Sequence, residues 1–229
     1  IDPFWLPSGS NLYVYNEDHS MVHGAYTPVN NTVENIFSTP LTSGDAIIIE
    51  YYEPGDIDLG AQLNISKVIH DYKDFLNFIY NASDRQCGAN VNCEEAALYQ
   101  NPVNSAAFLD MNGWLCSGSM LNNLNQDLTP YFLTAWHCVS GNNPGTFRFY
   151  FNYETTGCTG NNASYGSYAY GSQIRASSNG MNPDFTLLEI NDDIPESWEV
   201  YYAGWNAGGG SMQATSIGVH HPGGDPKKI

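Results

Sequence analysis

In the stretch TPYFLTAWHCVSG, residues 129 to 141, a histidine stands directly before a cysteine at the end of an apolar run. A histidine works as a general base when a carboxylate on one side fixes its tautomer and stabilises its charged form. A hydroxyl or thiol must then lie on its other side. Such partners are neighbours in space, not in sequence. For His137 the candidate carboxylate is Asp184, which follows GMNP and opens the apolar run FTLLEI, so a loop-to-strand junction would present it at the edge of a core. The same residues admit a plainer reading, with His137 a hydrogen-bonded core histidine and Asp184 a cap on the turn after Pro183.

The elements that must position this pair read as β structure. Between residues 1 and 80 short alternating runs, Asn11 to Tyr15, Ala46 to Tyr52 and Gln62 to Val68, are separated by turn signals at Pro7-Ser8-Gly9, Asn30-Asn31 and Pro54-Gly55-Asp56. This region is expected to be a small β-sandwich-like domain. Asn77 to Asn92 reads as a linker, and EEAALY, Glu94 to Tyr99, as a helical turn. Strands then resume at Ser105 to Leu109, Trp114 to Leu121, Tyr131 to Thr134, Phe147 to Tyr153, Ile174 to Ser177 and Asp184 to Ile190. Residues 157 to 172 read as a long polar loop. Closely spaced short strands of this kind suit a barrel, so the expected organisation is 1–80 followed by 81–229.

Five cysteines, Cys87, Cys93, Cys116, Cys138 and Cys158, lie within the second part at gaps of 6, 23, 22 and 20 residues. Zinc sites prefer close CxxC or CxxH pairs, so these gaps read as a disulfide framework in an exported protein, with one thiol left over.

The motifs resemble those of trypsin-like serine proteases. YFLTAWHC resembles their TAAHC histidine motif, and CSGSMLNN (Cys116 to Asn123) the CGGSLI strand before it. DFTLLEI resembles their aspartate motif, in the right order and 47 residues after the histidine. Within that superfamily the chain resembles the bacterial lysyl endopeptidases in YFLTAWHC, FYFNYETTGC (Phe149 to Cys158), DFTLLEI, AGWNA (Ala203 to Ala207) and IGVHHPGGDPKKI (Ile217 to Ile229). The likeness covers roughly 140 of 229 residues. It implies a mainly β fold: the first β-barrel and part of the second barrel of a trypsin-like protease, after the N-terminal domain. It implies His137 as general base, Asp184 as its orienting carboxylate, and pairs Cys116–Cys138 and Cys93–Cys158. Cys87 is left unpaired in this chain, because its partner in the family lies far downstream. Residues 1–80 resemble, more weakly, the β-rich segment before the protease domain in some secreted relatives, either a propeptide or an accessory module.

The family's nucleophilic serine sits in a G-[DN]-S-G turn whose amides also form the oxyanion hole. After Asp184 the chain offers Ser197, Ser211 and Ser216. GGGSMQ around Ser211 lies only 27 residues past Asp184, where the family has an ordinary loop. Ser117 and Ser119 belong to the CSGS strand and read as barrel packing. The expectation is therefore that the serine lies beyond residue 229, and that these 229 residues alone do not hydrolyse peptides.

Seven Lys and Arg against 24 Asp and Glu, a net charge of −17, disfavour a nucleic-acid partner. No apolar run approaches a membrane span. His19 and His23, and Glu53, Asp56 and Asp58, have ligand-like types, but strand spacing and a Pro-Gly turn explain them, so no metal or cofactor is expected. The resulting expectation is a secreted or cell-surface bacterial serine endopeptidase acting on proteins or peptides, with cleavage after lysine implied by the resemblance. A non-catalytic protease-like binding or adhesion protein is the alternative.

Overall fold

The computed structural model describes residues 1–56, 58–71, 88–160, 163, 168–178, 180, 182–208 and 216–229. They divide into two compact units, Ile1–His70 and Asp71–Ile229.

In the first unit, β1 (Phe4–Trp5) pairs antiparallel with β5 (Gln62–Leu63), and β2 (Asn11–Asn16) lies between β3 (Val22–Tyr26) and β4 (Ile47–Tyr52) in an antiparallel sheet. The alternation read from the sequence is literal in β2: Leu12, Val14 and Asn16 are buried while their neighbours are half-buried, as period-two side chains require. Phe37 fills the core between Phe4, stacked at 4.5 Å between ring centroids, and the edge of Tyr26, at 4.7 Å. The run expected to extend to Val68 pairs only at Gln62 and Leu63. β1 and β3 were not legible, since a two-residue strand and the sequence VHGAY carry little alternating pattern.

Among its described residues, the second unit has first a 3-10 turn at Glu94–Ala96 and then helix α1 (Gln100–Ser105). Next come β6 (Ala106–Asp110), β7 (Leu115–Leu121), β8 (Tyr131–Thr134), the single helical turn α2 (Trp136–Val139) and β9 (Arg148–Tyr150). The strands β10 (Tyr168–Tyr170), β11 (Ser172–Ser177) and β12 (Thr186–Ile190) follow. Every pairing is antiparallel, in the order β10-β9-β6-β7-β8-β12-β11. The two ends of that order are consecutive in the chain. Only Gly171 separates β10 from β11, and it bonds to both sides, donating to Phe147 O at 2.8 Å while its carbonyl accepts from Asn191 N–H at 3.0 Å. β10, Gly171 and β11 thus act as one bent strand at both ends of the order, and the seven-stranded sheet curls into a barrel.

Leu109, Met120, Phe132, Phe149, Leu188 and Ile190 fill the interior together with Phe147 and Phe151, all at most 3% exposed. β10 corrects the reading of 157–172 as one loop. Tyr168-Ala169-Tyr170 alternates about a buried Ala169, but the polar residues before it and the glycine after it hid the strand. After Ile190 the described residues form 3-10 turns at Glu196–Trp198 and Pro222–Gly224 and isolated bridges. These join Leu121 to Ala203, His220 to Lys228 and Asn90 to Lys228.

Gly171 is required at the seam. Its φ is +71°, and a Cβ there would sit 2.7 Å from Asn191 Nδ2 and 2.9 Å from Gly145 O. Gly171→Val is expected to cost at least ~2 kcal/mol, from left-handed strain plus the overlap. The check is a denaturant midpoint, and a change below about 0.5 kcal/mol would show that the seam relaxes freely.

Candidate active site

Strand register brings the two halves of the site together. β12 pairs with β8 so that Thr186 faces Thr134 and Leu188 faces Phe132. Carrying that register two residues past the strand ends sets Asp184 opposite Trp136, one residue before His137. β8 itself is drawn close to β7 at Gly118, where a Cβ would overlap the Phe132 ring and stand 2.5 Å from Leu133 O. The buried Thr134 hydroxyl donates to Ser117 O at 3.0 Å and ties the start of the histidine turn to β7.

The second tie is covalent. Cys116 in β7 is bonded to Cys138, the residue after the histidine, and Cys93 is bonded to Cys158. Loop-closure entropy assigns about 3 kcal/mol to a bridge closing the 22-residue separation of the first and about 4 kcal/mol to the 65-residue separation of the second. Replacing Cys116 and Cys138 together by Ala is therefore expected to lower stability by about 3 kcal/mol, read from denaturant unfolding. Cys87 lies outside the described residues.

His137 Nδ1 is 2.6 Å from Asp184 Oδ2, and the main-chain N–H of His137 donates to Asp184 Oδ1 at 3.0 Å. Both carboxylate oxygens are thus engaged by one residue, and the Trp136 amide adds a third interaction. Hydrogen bonds from the His137 ring, then from these amides, hold the Asp184 carboxyl below its ordinary pKa. An ionised carboxylate at Nδ1 makes that nitrogen the proton-bearing one, which leaves Nε2 to accept a proton. The dyad is accessible from one side: the His137 side chain is 56% exposed and that of Asp184 26%.

Cys138 Sγ lies 3.6 Å from Nε2, and Cys116, His137 and Cys138 form a cluster of metal-ligand types. The sulfurs are joined in the disulfide and offer no thiolate, so the chemistry of the set does not suit a metal. His19 stacks on Tyr15, and His23 Nε2 is 3.1 Å from Leu41 O, so these two histidines serve separate local contacts.

Among the described residues, no serine or threonine hydroxyl is hydrogen-bonded to His137. Ser197 lies exposed in the Glu196–Trp198 turn, Ser216 is exposed, and Ser211 is outside the described residues. Ser117 Oγ accepts the His221 N–H at 2.8 Å, and Ser119 Oγ donates to Ser105 Oγ at 3.0 Å.

Two buried polar groups beside the barrel escaped the sequence reading. Lys227 is fully buried, donating to Val103 O at 2.9 Å and Phe151 O at 2.6 Å, with Glu154 Oε2 3.6 Å away. Burial pulls its pKa down to about 8. Its neighbour His221 stacks on Tyr153, and its Nδ1 is 3.0 Å from Asp225 O. Burial, then the Lys227 charge, lowers the His221 pKa to about 3 and keeps the ring neutral. The only sequence signal for either was the density of polar residues in HHPGGDPKK.

Comparison with known proteins places the sequence in a family. The sequence family described as "Lysyl endopeptidase, C-terminal domain" matches residues 81–229. The lysyl endopeptidase of Pseudomonas aeruginosa is 27% identical over 222 residues, which cover 86% of this chain and 46% of that protein. The chain thus spans about half the length of the curated relative it matches. The crystal structure of Rv3671c from Mycobacterium tuberculosis, an inactive form of a serine-to-alanine mutant, aligns with a TM-score of 0.37 and 16% identity. The alignment covers 58% of this chain and 53% of that one. With the family match running through the whole barrel, its two disulfides and the His137–Asp184 pair, the chain belongs to the lysyl endopeptidase family.

Proposed function

We propose that this chain is the part of a secreted serine endopeptidase that carries the general base. The observation that carries the reading is the 2.6 Å contact of His137 Nδ1 with a carboxylate, while the ring stays exposed. In the complete protein, Nε2 takes the proton of a serine hydroxyl as its oxygen attacks the scissile carbonyl. It then returns the proton to the leaving amine, while Asp184 holds the imidazole and stabilises its charged form. The serine, its oxyanion amides and the partner of Cys87 belong to sequence beyond residue 229, which supplies the second half of the protease domain. The substrates are proteins or peptides, and the relative's name supports cleavage after lysine. Residues 81–229 act as the protease portion and residues 1–80 as a propeptide or accessory module.

Two disulfides are the reason to place the protein outside the reducing cytosol. No helix among the described residues is long and apolar enough to cross a membrane.

A fluorophosphonate probe tests the reading on the full-length protein. One covalent label is expected on a serine outside these 229 residues, and it is expected to be lost in His137→Ala. Absence of any label on folded protein would leave a non-catalytic, protease-like binding protein in its place.

A further inference from the structure

The chain contains four lysines, Lys67, Lys73, Lys227 and Lys228, and their placement is uneven. Lys67 is exposed and lies outside any strand, whereas Lys73 is outside the described residues. Lys227 is 0% exposed, with its ammonium directed onto Val103 O and Phe151 O. Lys228 is half-buried, and its ammonium donates to Asn90 Oδ1.

The backbone around this lysine pair is equally occupied. Lys227 N–H donates to Tyr153 O at 3.0 Å. Lys228 exchanges hydrogen bonds with His220, its N–H donating at 2.9 Å and its carbonyl accepting at 3.1 Å. Ile229 exchanges a similar pair with Ala89 at 2.9 and 3.1 Å. An endopeptidase must draw several residues around the scissile bond into its cleft in extended form. Cleavage after either lysine therefore requires all of these bonds to open and the Lys227 ammonium to leave its buried site.

We propose that the fold hides this lysine pair from lysine-directed cleavage, so that an unfolded copy of the chain is a substrate at Lys227 and Lys228 and a folded copy is not. The proposal rests on the lysine-directed reading above for its biological sense: such an enzyme would spare its folded copies at this site and degrade unfolded ones. The hiding itself is a property of this fold, and it can be measured with a different protease.

The full-length protein carrying His137→Ala, which silences its own cleavage, is digested with an independent lysine-specific endopeptidase. Cuts within residues 1–229 are timed by peptide mass, with Lys67 as the exposed reference. In native buffer, cleavage after Lys227 and Lys228 is expected to be at least ~100-fold slower than after Lys67, because it must await local opening. After reduction in urea the gap is expected to shrink to a few-fold. Equal native rates at the two places, fast or undetectable, would overturn the proposal. So would a gap that persists in the unfolded chain, because sequence and not fold would then be its cause. The specificity reading has its own readout: turnover of lysyl against arginyl amides by the unmutated protein. Its failure would leave the digestion pattern unchanged.

Discussion

Asp184→Asn in the full-length protein is expected to lower kcat about ten-thousand-fold, with the fold intact and KM little changed. The carboxylate accepts at both oxygens, from the His137 main-chain N–H and from ring Nδ1. An asparagine can keep the main-chain bond through its oxygen, but its NH2 then faces Nδ1 as a donor. The ring is driven to the tautomer with its proton on Nε2, where it cannot receive the serine proton. Activity within tenfold of the unmutated enzyme would remove the dyad from the mechanism.

The same substitution has a thermodynamic signature at acid pH. His137 and the adjoining amides hold the Asp184 carboxyl below its ordinary value, so the folded chain binds this proton less readily than the unfolded chain does. The associated stability is fully present above about pH 4, the unfolded value, and is lost as pH falls through the lowered folded value. Asp184→Asn should therefore flatten the acid limb of a stability-against-pH curve and leave its neutral region parallel to the original.

His137 and Asp184 were legible because each sits beside an apolar run that had to be a strand: YFLT before the histidine and FTLLEI after the aspartate. Once those runs pair as β8 and β12, antiparallel register does the rest, and no other loop need be guessed. Barrel closure was not legible, because it depends on Gly171 bridging two strands of which only the second had a recognisable pattern. The buried Lys227 was hidden for a different reason. A lysine in a polar stretch reads as solvated, and what buries it is a set of backbone carbonyls contributed from Val103 and Phe151, far away in sequence. Arg148, inside the run Phe147 to Tyr153, is also buried, at 2% exposed, but against the side chains of Asp110 and Asn112.

Removing the partner of Arg148 is expected to be the most destabilising single change in the second unit. β6 and β9 pair so that Asp110 faces Arg148, whose Nε and Nη2 donate to Asp110 Oδ2 at 3.0 and 2.8 Å. Nη2 also reaches Asn112 Oδ1 at 3.1 Å. The other carboxylate oxygen, Asp110 Oδ1, accepts the Asn112 N–H at 2.9 Å. Burial is the largest influence and opposes the guanidinium charge, but the opposing influences, led by Asp110, together hold the pKa above the ordinary arginine value, so the group stays charged.

Asp110→Ala would leave that charge buried and uncompensated, at a cost of about 3–5 kcal/mol. For a unit of this size the melting temperature should fall by roughly 6–20 °C. The double variant Asp110→Leu, Arg148→Met removes both charges and keeps the volume apolar. It is expected to be markedly more stable than Asp110→Ala, because replacing a buried pair outright is often close to neutral. Thermal unfolding of the three proteins separates the two causes. If the double variant is no more stable than the single, the loss comes from packing of β6 against β9, and the buried charge is not what makes Asp110 necessary.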